Sequence, residues 1–258
     1  MQLAEERRQA IVEAVEREGR VLAAELVGRL KTSEDTIRRD LRDLDAAGLL
    51  RRVHGGAVRL RREASFGERA GTDQLRKTRL AHGLRECIRP GDTVLVDAGS
   101  THLALARILE DGCAATVVTN SPQIALALGH FTRTRIVLLG GTYHPNEGAT
   151  IGAATLMEVE RLRPDLALVG VCALDAARGL AASNPEEAAL KRAMLGAGAR
   201  RAVAALNERF DDGAAFVFGA LDEIDHLVLE HDASADLLER LRARHPALDI
   251  KLTSKAKA

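Results

Sequence analysis

Aromatic residues are scarce in this sequence: its 258 residues include no Trp, one Tyr and five Phe. Proteins that bind single-stranded nucleic acid stack the bases on aromatic side chains, so the composition disfavours that class. Cysteine is also rare. Cys87, Cys113 and Cys172 lie far apart, and the sequence therefore holds no CxxC metal or redox motif. Each is expected to be a small buried side chain in a reducing compartment.

Long apolar runs are absent as well. No segment approaches the roughly 20 apolar residues of a membrane-spanning helix, and the charged stretch Met1–Arg8 lacks the apolar core of a signal peptide. We therefore expect a cytoplasmic protein without a membrane partner. Hydrophobic residues make up 46% of the chain and charged residues 29%, which is ordinary for a globular protein, and the length predicts two domains.

The formal net charge is zero, with 37 basic and 37 acidic residues, but the two signs are unevenly distributed. Residues 1–90 hold 20 Lys and Arg against 15 Asp and Glu, whereas residues 91–258 hold 17 against 22. Residues 51–62 contain five arginines and no acid. Such a run is typical of a surface that contacts phosphate backbones, although alone it fits a solvated linker equally well.

The apolar pattern before this run predicts three helices, over 5–18, over 21–30, and from the N-cap Ser33 to about Ala47. Two short helices joined by a tight turn form the frame of a helix-turn-helix. Around the third helix, an apolar stripe faces the other two helices, and a polar face lies opposite. An amphipathic helix with a solvated face would show the same pattern, but arginines opposite a narrow apolar stripe also suit a helix that enters a major groove.

Two short β-prone segments follow, on either side of Gly55-Gly56, and predict a hairpin. A helix-turn-helix followed by a basic hairpin is a winged helix, which indicates binding to double-stranded DNA. His54 at the hairpin tip could contact DNA or be merely solvated. The predicted DNA-binding residues are Ser33, Asp35, Thr36, Arg38, Arg39, Arg42, Arg51, Arg52 and His54.

Two stretches of this region, SEDTIRRDL (33–41) and GLLRRVHGGA (48–57), resemble the signature of DeoR-type bacterial transcriptional repressors. The resemblance implies an operator-binding winged helix over 1–58, a linker over 59–73 and an effector domain over 74–252. One departure is Lys31-Thr32, where the family usually has a Gly-Val-like pair. A lysine held at positive φ would cost about 1 kcal/mol.

From Gly91 onward, short apolar strands alternate with helical stretches, which predicts a mainly parallel α/β sheet covered on both faces. Ligands of such sheets lie beyond the carboxyl ends of the strands. Small and polar residues recur at these ends, and the DAGST stretch 97–101 would form an anion site at a helix N-terminus. Each segment alone is also ordinary turn chemistry. The candidates are Asp97, Gly99, Ser100, Thr101, Asn120, Ser121, Gly140 and Gly141.

Asn184-Pro185-Glu186-Glu187 predicts the start of a further helix, with Asn184 as its N-cap. Glu187 and Lys191 then share one helix face. They could form a surface ion pair, or Lys191 could neutralise a ligand phosphate while Glu187 binds sugar hydroxyls. His102 is expected to face solvent or to cap its helix.

These stretches resemble the DeoR effector domain, whose fold is similar to ribose-5-phosphate isomerase, and the resemblance implies a phosphorylated sugar as inducer. Asn184 is one departure, since many members of the family have Asp at this position. The combined prediction is a homo-oligomeric (dimeric or tetrameric) repressor of a sugar or polyol catabolic operon, released by a phosphorylated sugar. The alternative is a sugar-phosphate isomerase-like enzyme that carries a DNA-binding module. No catalytic residue, metal site or cofactor is predicted, since the histidines show no metal-ligand spacing.

Overall fold

The computed structural model describes residues 4–18, 20–47, 49–53, 55–59, 64–210 and 216–254. The chain divides into two compact units, residues 1–63 and 64–258. Among the described helices, none is long and apolar enough to cross a lipid bilayer.

The first unit is a winged helix, as the sequence predicts. Its sheet is antiparallel in the order β1-β3-β2. Its elements are α1 (Ala4–Glu18), β1 (Arg20–Leu22), α2 (Ala23–Leu30), α3 (Glu34–Ala46), β2 (Leu50–Val53) and β3 (Gly56–Arg59). The prediction that the second helix begins at Val21 is wrong, because Val21 and Leu22 pair with β3 instead. Gly56 permits this pairing, since a Cβ there would lie 2.0 Å from the carbonyl oxygen of Val21.

An apolar cluster joins the three helices to the wing. Ile37, Leu41 and Leu44 of α3 are buried against residues of α1, α2 and the wing, as the predicted stripe requires. Lys31, which ends α2, adopts the left-handed conformation with φ 47° and ψ 48°. A lysine therefore occupies the turn position that glycine would take without strain.

The second unit contains a seven-stranded parallel sheet, two small antiparallel sheets and seven helices within its described residues. The helices are α4 (Phe66–Gly71), α5 (Gln74–Arg85), α6 (Ser100–Ile108), α7 (Pro122–Ala127), α8 (Ala153–Glu160), α9 (Pro185–Ala197) and α10 (Ala235–Arg244). The strands are β4 (Thr93–Val96), β5 (Thr116–Thr119), β6 (Arg135–Leu138), β7 (Thr142–His144), β8 (Ala149–Ile151), β9 (Leu166–Leu168), β10 (Ala173–Asp175), β11 (Gly179–Ala182), β12 (Arg200–Ala205), β13 (Phe216–Gly219), β14 (His226–Leu229) and β15 (Asp249–Leu252).

The large sheet has the order β15-β14-β12-β9-β4-β5-β6. Successive residues of β4 face opposite sides, and Val94 and Val96 pack in one apolar cluster while Leu95 packs in the other. The mainly parallel sheet covered on both faces is therefore confirmed. The chain moves outward from β4 in one direction and from β9 in the other, so a crevice opens between the carboxyl ends of these two strands.

The segment 64–73 does not have the form expected of a linker. It begins the second unit, and α4 lies within it, with Ser65 as N-cap in a reciprocal capping box with Glu68. Phe66 is buried. The mixed composition hid this short helix because only one of its side chains is strongly apolar.

Candidate functional site

The N-terminus of α3 is built from the residues that the sequence singles out. Ser33 caps the helix, and its Oγ accepts a hydrogen bond of 3.3 Å from the backbone N–H of Thr36. Asp35 is exposed in the first turn, where a negative charge suits the helix dipole. The start of α3 is therefore held locally, independently of any partner.

Two ion pairs to the buried Asp40 fix α3 against α1. Asp40 is 2% exposed, and its carboxylate accepts hydrogen bonds from Nε of Arg7 at 2.6 Å and Nε of Arg8 at 3.1 Å. Burial alone would raise the pKa of Asp40, but the hydrogen bonds and charges of the two arginines outweigh it and lower that pKa. Asp40 thus orients α3 from its inner side, while the outer side stays open.

The outer side of α3 carries the three arginines. Arg38 forms an exposed ion pair of 2.6 Å with Glu34, one turn earlier. Arg39 and Arg42 are exposed, and the structure shows no ion pair for either within the described part of the chain. They are consequently available to phosphates or base edges without losing an intramolecular partner.

The wing is the other part of the predicted DNA-binding surface. Arg52 of β2 is exposed, and its backbone N–H donates to Asp45 of α3 at 3.1 Å, which ties the wing to α3. Arg51 lies in β2, and His54 lies outside the described residues.

A second polar site lies in the other unit, at the crevice between β4 and β9. It is a solvent-open cleft with about 310 Å³ of atom-free space, part of which is open solvent. Two stretches that follow strands of the parallel sheet contribute to it, together with α4, the β7–β8 hairpin and α9. The lining residues are Arg69, Asp97, Ala98, Asn120, Glu147, Ala149, Ile151, Glu187, Leu190 and Lys191.

A buried ion pair lines this cleft. Nζ of Lys191 donates to Oδ2 of Asp97 and lies 3.3 Å from Oε1 of Glu187, and Oδ2 of Asp97 also accepts the backbone N–H of Gly170 at 2.9 Å. Lys191 is 3% exposed. Burial alone would lower its pKa, but the charges of Asp97 and Glu187 outweigh it and raise the pKa well above the ordinary value. Lys191 is therefore charged and already neutralised by carboxylates.

Asn120 connects neighbouring strand ends. Its Oδ1 accepts the backbone N–H of Ala98 at 2.8 Å, and its Nδ2 donates to the carbonyl oxygen of Thr150 at 3.4 Å. Asn120 is buried, so these bonds set the distance between the loops after β4 and β5. The same loops define one wall of the cleft.

The N-terminus of α6 adjoins the cleft wall at Ala98. Gly99 is its N-cap and supplies no side-chain hydrogen bond. The first backbone N–H groups of a helix have no partner within the helix, and here they are accompanied by the half-buried hydroxyl side chains of Ser100 and Thr101. Such a helix end attracts anions.

Two family models cover most of the chain. The model described as the DeoR C terminal sensor domain matches residues 72–231, and the one described as the DeoR-like helix-turn-helix domain matches residues 7–63. The chain belongs to the DeoR family. This DeoR-family protein is accordingly a transcriptional regulator rather than an enzyme, with a DNA-binding unit and a sensor unit.

Two relatives match over nearly their whole length. The HTH-type transcriptional regulator GlpR of Haloferax volcanii is 33% identical over 242 residues, 92% of this chain and 94% of that protein. The glycerol-3-phosphate regulon repressor of Escherichia coli is 28% identical over 247 residues, 95% and 98% of the two chains. Ribose 5 phosphate isomerase A from Neisseria gonorrhoeae is similar at a TM-score of 0.40 and 13% identity, over 54% of each chain. A similarity at that level carries no argument about ligand or activity.

The sensor cleft of the DeoR-family protein brings together four of the predicted effector residues: Asp97, Asn120, Glu187 and Lys191. The idea that Glu187 and Lys191 form a surface ion pair is wrong, because Lys191 is buried and its short contact is to Asp97. The remaining predicted effector residues do not line the cleft. They are Gly99, Ser100, Thr101, Ser121, Gly140 and Gly141.

Ser121 and the glycines have structural contacts instead. Oγ of Ser121 caps α7 and donates to the carbonyl oxygen of Gly148 at 3.2 Å. Gly141 has φ +136°, and a Cβ there would lie 2.1 Å from Oγ1 of Thr155. The backbone N–H of Gly140 donates to Glu158 at 3.1 Å, so this loop is fastened to α8.

The expectation that His102 faces solvent is wrong. It is 2% exposed, its Nδ1 lies 2.7 Å from the carbonyl oxygen of Asp97, and burial lowers its pKa. It therefore stabilises the loop that carries Asp97. Arg69 and Glu147, which line the cleft, were missed by sequence reasoning, because neither follows a strand of the parallel sheet.

Two carboxylates of the cleft, those of Asp97 and Glu187, are already engaged by neighbouring donors. Asp97 is bonded to Lys191 and to the N–H of Gly170, while Glu187 accepts the N–H of Ser183 at 3.3 Å and faces Lys191. A general base needs a carboxylate free to reach the substrate proton. Among the described residues, no group of three or more metal-ligating side chains is placed to hold a metal ion.

Proposed function

We propose that this DeoR-family protein represses a sugar or polyol catabolic operon and leaves its operator when a phosphorylated metabolite binds the sensor cleft. The supporting observation is the polar cleft at the ends of β4 and β9, beside the uncapped N-terminus of α6. The family assignment and the name of the Escherichia coli repressor agree with a phosphorylated ligand. Binding to operator DNA would place the protein in the cytoplasm.

In this proposal α3 enters the major groove. Arg39 and Arg42 point away from the first unit's core and contact phosphates or guanine edges, which arginine binds with two parallel hydrogen bonds. Arg38 also contacts the DNA once its ion pair with Glu34 is broken. The remaining contacts come from Ser33, Asp35, Thr36 and the wing residues Arg51, Arg52 and His54. One small winged helix binds weakly, so we expect at least a dimer on a pseudo-palindromic operator.

The ligand's phosphate would bind at the N-terminus of α6, next to the cleft-lining Ala98, where it would accept hydrogen bonds from the first backbone N–H groups and from the hydroxyls of Ser100 and Thr101. Its hydroxyl groups would donate to Glu187 and Asp97. Lys191, being neutralised by these carboxylates, would orient them rather than supply the main charge for the phosphate.

Glycerol 3-phosphate is the first ligand to test, because the Escherichia coli relative is named for it. The full chain is titrated by fluorescence anisotropy against DNA from upstream of its own gene and of adjacent operons. Phosphorylated polyols and sugars are then added, each beside its unphosphorylated counterpart. We expect tight binding to one upstream fragment and release by a phosphorylated compound only. The absence of specific DNA binding, or release by the unphosphorylated compound, would contradict the proposal.

A further inference from the structure

The helix α4 is the first element of the sensor unit, and it is firmly attached to that unit. The backbone N–H of Phe66 donates to the carbonyl oxygen of Asn146 at 2.8 Å. The Phe66 ring is buried over Gly148, where an added Cβ would lie 2.3 Å from it. The buried Lys77 donates through Nζ to the carbonyl oxygens of Arg69 and Thr72 at the other end of α4. The backbone of α4 is thus held at both ends.

The side chain of Arg69 extends from α4 into the sensor cleft. Its Nη1 donates to the carbonyl oxygen of Ala64 at 2.5 Å, and its Nη2 lies 3.5 Å from the carbonyl oxygen of Glu147. Ala64 is the first residue of the sensor unit, immediately after the DNA-binding unit ends at Glu63. One guanidinium therefore contacts both the ligand cleft and the point where the chain enters the sensor unit.

The charges of the cleft distinguish Arg69 from Lys191. Lys191 is neutralised by Asp97 and Glu187, whereas the structure shows no carboxylate partner for Arg69 among its described residues. Its partners are neutral carbonyl groups. A guanidinium is attracted to a phosphate by charge and can donate two parallel hydrogen bonds to it, which a single carbonyl oxygen does not match. An anionic ligand would therefore compete successfully for this side chain.

The helix α4 packs against α6, and the cleft is lined both by Arg69 and by Ala98, which immediately precedes the N-cap of α6. The α6 backbone N–H groups and the Arg69 guanidinium are complementary donors. Together they offset the cleft carboxylates, which would otherwise repel a phosphate.

We propose that Arg69 binds the anionic group of the effector directly and, in doing so, releases the carbonyl of Ala64, so that ligand binding alters the start of the sensor unit and lowers operator affinity. This inference rests on the proposed function, because it presupposes a phosphorylated ligand and an operator. Arg69 would transmit ligand binding to Ala64, where the sensor unit begins. Arg69 is predicted to be both a ligand contact and the coupling element.

The test uses the full chain with Arg69→Gln, Arg69→Lys and a matched control, Arg163→Gln. Arg163 is also an arginine that donates to backbone carbonyl oxygens, at 2.6 and 2.8 Å, but it is exposed and does not line the cleft. Binding of glycerol 3-phosphate, fructose 1-phosphate and inorganic phosphate is measured by calorimetry. Far-UV circular dichroism and the thermal midpoint establish that each variant is folded.

We expect Arg69→Gln to weaken binding of the phosphorylated probe at least tenfold, Arg69→Lys to weaken it less, and Arg163→Gln to stay within twofold of the parent. In operator titrations without ligand, Arg69→Gln should bind at least fivefold more weakly than the parent, because the Ala64 carbonyl has lost its donor. Adding the phosphorylated ligand should then lower the operator affinity of Arg69→Gln only slightly further. Hydrogen exchange of the segment 64–68 should be faster in Arg69→Gln than in Arg163→Gln.

The inference is overturned if the parent binds a phosphorylated probe and Arg69→Gln binds it within twofold of Arg163→Gln. It is also overturned if Arg69→Gln loses the ligand but binds operator like the parent, since Arg69 would then contact the ligand without influencing the DNA-binding unit. If the parent binds no phosphorylated probe, the proposed effector class fails first, and the role of Arg69 fails with it.

Discussion

The ion pair of Lys191 with Asp97 predicts a large and specific loss of stability when it is broken. Both side chains are 4% exposed, so Lys191→Met would leave the Asp97 carboxylate buried with its backbone donor from Gly170 but without its counter-charge. Removing one partner of a buried pair costs about 3–5 kcal/mol. For a domain of 150–250 residues, each 1 kcal/mol corresponds to about 2–4 °C in thermal midpoint.

Thermal unfolding followed by circular dichroism measures this loss, and Lys251→Met is the matched control. Lys251 forms a longer pair of 3.5 Å with the exposed Glu86, and such surface pairs contribute about 0–1 kcal/mol. Asp97→Asn combined with Lys191→Met should recover part of the loss, because no unpaired charge remains. The pKa of Lys191 is higher in the folded than in the unfolded state, so its contribution to stability is fully present below the unfolded-state pKa. That contribution is lost only as the pH rises toward the folded-state pKa. The effect should therefore be constant between pH 6 and pH 9. If Lys191→Met lowers the thermal midpoint no more than Lys251→Met does, the reasoning is refuted.

Three further predictions concern the DNA-binding unit. Arg39→Ala should weaken operator binding by about 1–3 kcal/mol without a change in thermal midpoint, whereas Arg163→Ala should leave operator binding unchanged. If anisotropy titrations give the same operator affinity for both variants, the placement of α3 in the groove is contradicted. The lowered pKa of Asp40 contributes stability above its unfolded-state pKa, and that contribution is lost as the pH falls through the lowered value, so acid titrations should show a steeper loss for the parent than for Asp40→Asn. Lys31→Gly should stabilise the unit by about 1 kcal/mol in urea unfolding, because glycine takes φ 47° without strain; a destabilised variant would show that the lysine side chain has contacts that outweigh the strain.

Local signals in the sequence predict the winged helix and the parallel sheet well. Ser33 is a cap followed by a regular apolar period, and the strands of the large sheet are short apolar runs separated by helices. Val21 and Leu22 were assigned to a helix because their pairing with β3 joins residues more than 30 positions apart, and periodicity does not detect such contacts. The pairing of β11 with β13 also joins residues more than 30 positions apart and is hidden for the same reason.

The cleft was predictable only in part. Asp97 and Asn120 follow strands and were found by the rule that ligands bind at strand ends. The burial of Lys191 was not predictable from its spacing to Glu187, because its principal partner is Asp97, 94 positions away. Arg69 lies in a segment interpreted as a linker, and its role in the cleft depends on the packing of α4 against α6.

The central claim, that a phosphorylated ligand in the sensor cleft lowers operator affinity, is tested most directly by measuring the coupling in both directions. Calorimetry gives the affinity of the full chain for the releasing compound with and without operator DNA, and anisotropy gives the operator affinity with and without the compound. Linkage requires the two ratios to be equal, and a typical coupling is about 1–3 kcal/mol. The account predicts equal ratios of at least fivefold in the parent protein. Ligand affinity that is unchanged by a saturating operator would contradict it.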